Sequence, residues 1–323
     1  MKHEWNPWVI KNWSVPEAEW NDPALPMVSL GVLNYNRVDE LRQTLDVLTN
    51  AVQYPNYEII LVDNGSTDGG IEMVRAEYPQ VRLYEVGANL GVSSRNFQTQ
   101  LARGKYLFSF DDDTYPGTPA MVLRIVQHME AYPDIDAVSG TYYQPITGLT
   151  ETKGWEFYRL REDHQRGFEG PYVVEGGVCF RVNTLRKVKG YEPAFVCYGD
   201  GLDLCIQLYQ AHAGIYLCPW FGTLHFASPT NRSTGFRTYA YSRNVIWAIA
   251  MHWPLIAAIP LCAILVLRRF IAMIMHPRTL RENARGILDG FLGIRPFLRK
   301  RPKLSWKQIW GLRRWYYGLF RWA

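Results

Sequence analysis

The 323-residue chain has few cysteines, and their spacing gives them no common role. The five cysteines are scattered without a CxxC pair, which argues against a zinc site and against a disulfide framework. The first residues lack a basic segment followed by an apolar one, so no secretory signal is expected. Internal repeats and low-complexity segments are also missing. The length suits one domain with an ample core, followed by a tail.

Short apolar runs alternate with amphipathic segments along the first half of the chain. Strands are predicted at 27–33, 57–62, 81–86, 106–110 and 137–139, with helices at 38–52, before 79, and at 91–102 and 118–132. Strands that alternate with helices indicate right-handed crossovers and an α/β fold with a mainly parallel central sheet. Ligands of such sheets bind beyond the carboxyl ends of the strands.

Three consecutive aspartates, Asp111, Asp112 and Asp113, follow the apolar run at 106–110. Like charges at a strand end are costly unless a positive group lies there, and a divalent cation on a phosphate would be such a group. A turn that caps the next helix is the alternative. The polar segments 34–37, 63–69 and 89–96 fall at the same predicted edge. Four polar loops at one edge indicate a site better than a set of separate helix caps does.

Those four segments, in this order, resemble the motifs of family 2 glycosyltransferases. They are Asn34-Tyr35-Asn36-Arg37, the segment from Asp63 to Gly69, Asn89-Leu90-Gly91 with Arg95-Asn96, and Asp111-Asp112-Asp113. The resemblance extends over about residues 27–244 and is greatest to a rhamnosyltransferase-like branch that assembles cell-surface polysaccharides. It implies the GT-A nucleotide-sugar-binding fold and inverting transfer of a hexosyl or deoxyhexosyl unit.

The resemblance also implies a role for several side chains. Asp63 matches a carboxylate that contacts the nucleotide base, with an Asx turn as the alternative. Asp113 would hold Mg²⁺ or Mn²⁺, Asp111 would lie near the ribose or the water shell of the metal, and His225 would face metal or diphosphate unless it is structural. The other candidate nucleotide-sugar-binding residues are Asn34, Asn36, Arg37, Asn64, Asn89, Gly91, Arg95, Asp112, Gly176, Gly177 and Arg243.

Each of these secondary candidates has a plainer interpretation. Arg95 could be a solvated residue on a helix surface, and Gly91 could simply open a helix. The pair Gly176-Gly177 could form a bulge in a strand predicted at 173–181. Arg243 could flank a membrane segment instead of touching a phosphate.

The catalytic base is the point at which this sequence departs from the family. Members usually carry Glu-Asp-x-Asp-Leu, with the second acid as general base. Here Asp200 aligns with the Glu and Gly201 with the catalytic Asp. We expect Asp200 to act as the base, with Asp203 as another candidate that could equally cap a helix over 204–211. One carboxylate beside the acceptor hydroxyl, opposite the departing diphosphate, suffices for an inverting displacement.

The end of the chain points to a membrane. Residues 245–267 have no charged side chain and are long enough to span a bilayer, although Pro254 and Pro260 make an in-plane or re-entrant helix pair at least as plausible. Residues 268–323 hold fourteen Lys or Arg and two acids, so they carry +12 of a whole-chain charge of +5, which leaves −7 for 1–267. The aromatic residues of this tail suit an anionic lipid surface, and they include Trp306, Trp310, Trp315, Tyr316, Tyr317 and Trp322.

We therefore expect a Trp-bearing extension at 1–26, a catalytic domain at 27–244 and a membrane-associated helical tail at 245–323, at the cytoplasmic face of the cell membrane. The expected partners are a UDP- or dTDP-linked sugar, a lipid-linked saccharide acceptor and anionic lipid, with no nucleic acid. Two alternatives stay open. A sugar nucleotidyltransferase would normally have a glycine-rich basic loop in place of 34–37, and a catalytically weak or inactive partner of the same fold is favoured by Gly201.

Overall fold

The computed structural model describes residues 15–144, 149–151, 165–173, 175–226 and 234–319. Most of the predicted Trp-bearing extension lies outside these residues, as do Trp322 and the side chains of Trp315, Tyr316 and Tyr317.

Within the described residues, there are ten strands, which form one sheet, and eleven α-helices. The strands are β1 (Val28–Asn34), β2 (Tyr57–Asp63), β3 (Arg82–Glu85), β4 (Tyr106–Asp111), β5 (Thr114–Pro116), β6 (Ile135–Gln144), β7 (Leu149–Glu151), β8 (Phe168–Glu169), β9 (Val178–Arg181) and β10 (Gly214–His225). The helices are α1 (Glu17–Trp20), α2 (Val38–Asn50), α3 (Gly70–Glu77), α4 (Arg95–Leu101), α5 (Met121–Ala131), α6 (Val182–Leu185), α7 (Asp200–Gln210), α8 (Thr234–His252), α9 (Leu255–Met275), α10 (Leu280–Leu292) and α11 (Trp306–Leu319).

The sheet is parallel in its first half and mixed in its second. Its main order is β3-β2-β1-β4-β9-β6-β10-β5, with β7 beside β6 and β8 beside β10. The first four strands pair in parallel, as do β6 and β10, whereas β9 runs antiparallel to both β4 and β6. The predicted α/β class is confirmed, but "mainly parallel" describes only the first half, because β9 enters between β4 and β6 in the opposite direction.

Helices cover both faces of the sheet, so its strands are buried on both sides. In β2, Ile59 and Leu61 pack in the layer that holds α2, α3 and α5, while Ile60 and Val62 pack in the layer that holds α4 and α7. This alternation follows from the two-residue period of a strand. It leaves the carboxyl ends of β1, β2 and β4 side by side at one edge.

The uncharged run at 245–267 is divided between two helices. α8 ends at His252 and α9 begins at Leu255, with Pro254 at the break. The α8 part is protein core: Ile246 and Met251 are fully buried. The run is therefore not one continuous helix over 245–267 but is shared by two helices, and their in-plane or re-entrant position in a membrane stays a prediction. In the described part of the chain, α9 is the one helix that is long and apolar enough to cross a membrane.

Candidate active site

A hydrogen-bonded corner joins the ends of β1 and β2. Asn34 Nδ2 donates to Asp63 Oδ2 at 2.7 Å and to the Ser66 hydroxyl at 3.1 Å. Asp63 Oδ1 accepts from the backbone amides of Gly65 and Ser66, at 2.9 and 2.8 Å. Asp63 is buried and thus has the bonding of an Asx turn. A base contact through Asp63 would replace one of these bonds, and it stays a prediction.

Asparagine side chains connect the neighbouring polar loops. Asn36 Oδ1 accepts from the amide of Thr67 at 2.7 Å, which ties the loop after β1 to the loop after β2. Asn64 donates to the Gly91 carbonyl at 2.9 Å and accepts from the Ser94 hydroxyl. The predicted loops therefore lie together at one edge of the sheet, and hydrogen bonds connect them.

Gly91 is required by its backbone conformation and by its neighbours. Its φ is +64°, and a Cβ at this position would lie 1.9 Å from the carbonyl oxygen of Val196. Asn89 Oδ1 accepts from the Gly91 amide at 2.9 Å and holds this turn. Gly91 also opens a 3-10 turn (Gly91–Ser94) that leads into α4. Its role is to let two loops approach each other closely.

Arg37 neutralises the second and third aspartates of the triplet. Its guanidinium lies 2.7 Å from Asp112 Oδ1 and 3.1 Å from Asp113 Oδ2. Burial raises the pKa of Asp112 to about 7, against the opposing charge of Arg37, and the neighbouring carboxylates Asp113 and Asp111 add to the rise. The positive charge that the triplet was predicted to need is thus supplied in part by the protein.

Arg95 neutralises the first aspartate from inside the protein. Only 3% of Arg95 is exposed, so the interpretation as a solvated surface residue is wrong. Its guanidinium makes an ion pair with Asp111 and donates to the Ser109 hydroxyl at 2.5 Å and to the Phe110 carbonyl at 3.2 Å. Arg95 therefore fixes the carboxylate of Asp111, the last residue of β4.

His225 reaches the triplet because β10 pairs with β5 directly after it. The antiparallel register places His225 opposite Thr114, and His225 Nε2 lies 3.8 Å from Asp113 Oδ2. Among the described residues, no three His, Cys, Asp or Glu side chains converge as a ready metal site. Asp113 and His225 nevertheless fit Mg²⁺ or Mn²⁺, which need few protein ligands when substrate phosphates supply the others. Asp111, predicted near the ribose or the metal and its water shell, makes an ion pair with Arg95 through Oδ1, and its part in binding stays a prediction.

Gly176 and Gly177 bring the backbone close to the site, and the strand starts only after them, at Val178. Gly176 has a φ of +89°, and a Cβ there would lie 2.7 Å from Asp111 Oδ2. A Cβ on Gly177 would lie 2.5 Å from the Thr223 hydroxyl. Larger residues would push this segment away from the aspartates.

The two candidate bases have different environments. Asp200 is the first residue of α7 and is almost fully buried. Asp203 is fully buried too, but it accepts from His252 Nε2 at 2.7 Å and from Arg301 at 3.2 Å. Burial would raise the pKa of Asp203, yet the bond from His252 and the charge of Arg301 outweigh it and hold the pKa below its usual value. Asp203 as a base is therefore not supported, since it is paired with His252 and Arg301. It does not cap a helix from residue 204 either, because it lies inside α7.

Glu175 is an acid of the site that the motif comparison missed. Its carboxyl lies beside Gly201, where a Cβ would be 3.3 Å from Glu175 Cδ. Burial raises the pKa of Glu175 to about 8, the charge of Asp200 adds to the rise, and Arg95 opposes it. The pKa of Asp200 is raised as well, mainly by burial. The sequence offered one signal, an acid directly before Gly176. The search for a base was confined to the acids of α7 and did not include it.

Arg243 is tied to the loop in front of α7. It lies over the Trp247 ring, 4.3 Å from the centroid, and donates to the Ala194 carbonyl at 3.2 Å. Its neighbour Asn244 donates to the carbonyls of Phe195, Cys197 and Tyr198. These contacts do not fit a residue that only flanks a membrane, and a phosphate contact by Arg243 stays a prediction.

Comparison with known sequences finds the same region of the chain. The model of the family described as "Glycosyl transferase family 2" matches residues 29–189. The glycosyltransferase SunS of Bacillus subtilis is 25% identical over 180 residues, which are 52% of this chain and 41% of SunS. A poly(ribitol-phosphate) beta-glucosyltransferase of Bacillus spizizenii is 32% identical over 101 residues, 29% of this chain and 16% of that protein. The chain thus spans less than half the length of these relatives.

Solved structures share the fold at low sequence identity. GalNAc-T7 with UDP, GalNAc and Mn²⁺ has a TM-score of 0.55 and 14% identity over 72% of this chain and 49% of its own. The mannosyltransferase PcManGT of Pyrobaculum calidifontis with GDP-Man and Mn²⁺ has a TM-score of 0.54 and 16% identity over 89% and 91%. The predicted GT-A-like architecture is confirmed, and the rhamnosyltransferase-like branch is not among these findings.

Proposed function

Because the chain belongs to glycosyl transferase family 2, we propose that it transfers a sugar from a nucleoside-diphosphate donor to an acceptor hydroxyl with inversion. One observation carries this proposal: the loops after β1, β2 and β4 join into one polar edge around Asp111, Asp112 and Asp113. Two guanidiniums and a histidine also converge there. Such an edge suits a ligand with a polar base and a charged diphosphate.

The donor would lie along the carboxyl ends of β1, β2 and β4. The loops around Asp63 and Asn64 would hold the nucleoside, with a UDP- or dTDP-linked sugar as the expected class. Asp113 and His225 would hold Mg²⁺ or Mn²⁺. Such a cation supplies charge compensation for the departing diphosphate. Arg37 would keep Asp112 and Asp113 together before the donor arrives, since it bridges both carboxylates.

The acceptor would enter between the Gly176 segment and the start of α7. The reaction needs a carboxylate there, on the side of the sugar opposite the diphosphate. Gly201 has none, but the Glu175 carboxyl lies beside it and interacts with the carboxyl of Asp200. An acid is therefore present for the chemistry even though the usual position lacks one. This favours an enzyme over an inactive partner.

The C-terminal helices would hold the catalytic domain, proposed as 27–244, on the cytoplasmic face of a membrane near a lipid-linked saccharide acceptor. One face of α9 packs on the protein along the helix, through Ala258, Cys262, Leu265 and Met273. Its other face is exposed and apolar, with Ile256 at 73% and Ile259 at 68%. A helix that is packed lengthwise on its own domain suits an in-plane position better than a crossing one.

The transferase is tested by a thermal-shift screen of UDP-, dTDP- and GDP-sugars with and without Mn²⁺. We expect one nucleotide class to raise the melting temperature in the presence of Mn²⁺, because a ligand that binds only the folded protein stabilises it. The same donor should release nucleoside diphosphate, and Asp113→Ala should abolish that release. Asp134→Asn, at an exposed ion pair with Arg166, is the matched control.

Two results would contradict the proposed function. One is a wild-type protein that no nucleotide-sugar stabilises at saturating concentration. The other is release of nucleoside diphosphate by Asp113→Ala at the rate of the Asp134→Asn control, since the triplet would then have no part in the reaction.

A further inference from the structure

A carboxyl group from another segment fills the space that an acid at position 201 would use. Gly201 is the second residue of α7. A Cβ on Gly201 would lie 3.3 Å from Cδ and Oε1 of Glu175 and 3.4 Å from Oε2. The Cβ of an aspartate at 201 would therefore contact the carboxyl group of Glu175. The acid expected on α7 is replaced in space by one on the segment before β9.

The backbone of Glu175 is anchored beside the Asp-rich turn. The Tyr142 hydroxyl donates to the Glu175 carbonyl. The next residue, Gly176, approaches so closely that a Cβ would lie 2.7 Å from Asp111 Oδ2. The side chain of Glu175 reaches from there to the start of α7. Glu175 thus connects the proposed diphosphate side of the site with the proposed acceptor side.

Part of the Glu175 residue is accessible to solvent, whereas one of its carboxyl oxygens is buried. The residue as a whole is only half-buried, whereas its Oε1 is buried and makes no hydrogen bond with the described residues. Buried polar atoms are nearly always hydrogen-bonded, so an exception indicates a missing partner. The Tyr191 hydroxyl, which is also buried, faces this carboxyl and is a donor that Glu175 already has. The hydroxyl of an acceptor would be a second donor to the same carboxyl group.

We propose that Glu175 is the general base of the transfer and that Asp200 shares its proton. This assignment rests on the proposed transferase function. It makes Glu175 the base in place of Asp200, the candidate from the sequence. Glu175 would touch the acceptor hydroxyl directly. Asp200 would act through Glu175 as a positioning residue.

The step balances with one proton on the carboxyl pair at the start. The acceptor hydroxyl gives its proton to the Glu175 carboxylate while its oxygen bonds to the anomeric carbon. The bond from that carbon to the donor diphosphate breaks, and its electron pair leaves with the diphosphate. The proton already held between the carboxyls passes to Asp200, so the pair ends with two protons and no charge.

The charges around the pair allow it to hold one proton and one negative charge. The backbone amides of Asp200 and Gly201, at the start of α7, favour the ionised form of Asp200. Arg95 offsets part of the carboxylate charge, and Asp111 and the Tyr191 hydroxyl also face Glu175. Two buried carboxyls in contact cannot easily both ionise, which keeps one proton between them.

The assignment is tested with Glu175→Gln, which keeps the shape of the side chain and removes its basicity. The measurement is release of nucleoside diphosphate from the UDP-, dTDP- or GDP-sugar that stabilises the wild type with Mn²⁺. We expect a loss of about 10²- to 10⁴-fold, the usual contribution of a general base, with the donor-induced thermal shift retained. Glu72→Gln, at an exposed position of α3, is the control and should match the wild type.

Near-normal release by Glu175→Gln would overturn the assignment. So would a greater loss in Asp200→Asn than in Glu175→Gln, since Asp200 would then be the base itself. A positioning role predicts the smaller loss for Asp200→Asn. It also predicts that the acidic limb of the pH profile moves to lower pH in that variant, because removal of a like charge lowers the pKa of Glu175.

A second pair of variants tests the geometry and does not depend on how well Glu175→Gln folds. Glu175→Ala empties the space beside Gly201, and Glu175→Ala with Gly201→Asp refills it from α7. We expect the double variant to release nucleoside diphosphate at least about tenfold faster than Glu175→Ala. A double variant that binds donor but stays at the level of Glu175→Ala would contradict the proposal.

Failure of this assignment can be told from failure of the proposed function. A wild type that releases nucleoside diphosphate, together with an equally active Glu175→Gln, would contradict only the assignment of the base. A wild type that neither binds nor cleaves any of the three donor classes would overturn both.

Discussion

At the scale of single residues, the site is shaped by where side chains are missing as much as by where they are present. Gly91, Gly176 and Gly201 each stand where a Cβ would approach another atom of the site closely. The contact at Gly201 is with the end of a flexible side chain, whereas the contact at Gly91 is with backbone. Substitution should therefore have different consequences at these positions.

Gly91→Ala is expected to destabilise the protein by at least about 2 kcal/mol. Its φ is +64°, which strains any other residue, and its Cβ would lie 1.9 Å from the Val196 carbonyl oxygen. Gly69→Ala is the matched control, because Gly69 has a φ of +87° but nothing within 4 Å of its Cβ position. Urea unfolding should show a loss of about 1–2 kcal/mol for the control. Equal losses would mean that the approach to Val196 has no energetic weight.

The residue scale also shows what the sequence could and could not predict about the site. The four polar loops were predictable because each directly follows a strand of the parallel half, and parallel strands end at one edge. The partners of Arg37 and Arg95 were not, because the motifs name positions and not contacts. Glu175 was missed because its segment is placed by β9, which follows it. The antiparallel pairing of β9 with β4 and β6 cannot be inferred from a local sequence pattern.

At the scale of elements, α7 connects the sheet region to the C-terminal helices. Asp203 in α7 bonds with His252 at the end of α8 and with Arg301. Arg301 also lies 3.6 Å from Glu192, which in turn is 2.7 Å from Lys300. These buried ion pairs hold the segment after α10 against the loop that leads into α7. The start of α7 and the apolar helices therefore belong to one folded unit.

Asp203→Asn is expected to destabilise the protein by about 3–5 kcal/mol at neutral pH, because it leaves the buried charge of Arg301 without one of its partners. Urea unfolding measures this loss. Glu77→Gln, at the exposed ion pair with Arg42, is the control and should change stability by less than about 1 kcal/mol. A loss for Asp203→Asn no larger than that of the control would show that the buried pair contributes little.

The same pair predicts how the difference changes with pH. The pKa of Asp203 is lower in the folded than in the unfolded protein, so its ionisation stabilises the fold above the unfolded value of about 4. That contribution is lost as the pH falls through the lower folded pKa. The gap in stability between wild type and Asp203→Asn should therefore shrink in acid. A gap that widened in acid would reverse the assigned sign.

At this scale the sequence was a better guide to the helices than to the sheet. Pro254 and Pro260 argued against one straight helix over 245–267: the run does break at Pro254, whereas Pro260 lies inside α9. The burial of one half of the run was not predictable, because the apolar residues of α8 and α9 look alike in composition. Only packing against Phe195, Leu202 and the C-terminal segment separates core from surface.

At the scale of the whole molecule, charge and exposed apolar surface are both concentrated in the C-terminal part. Residues 268–323 carry +12 and residues 1–267 carry −7. The exposed apolar side chains of α9 and α10 include Ile256, Ile259, Leu267, Phe270, Ile274, Leu288 and Leu292. Basic and apolar groups next to each other suit an anionic lipid surface, where each basic residue near the surface adds about 1 kcal/mol.

Binding to phosphatidylglycerol vesicles should fall at least about tenfold when Ile256 and Ile259 are both changed to Glu, because each would remove apolar area from the lipid contact. Flotation with vesicles measures this, and high salt should weaken binding of the wild type. Tyr84→Glu, at an exposed position of β3, is the control. Unchanged vesicle binding by the double variant would show that α9 does not face lipid.

The contacts of Arg301 have a practical consequence for making shorter versions of this protein. A fragment cut at the Pro254 break would be more soluble by composition and would keep every loop of the proposed donor site. It would also lose Arg301 and Lys300, and so leave Glu192 without either of its cationic partners and Asp203 with His252 alone. Solubility is better sought by replacing the outward isoleucines of α9 with polar residues than by shortening the chain.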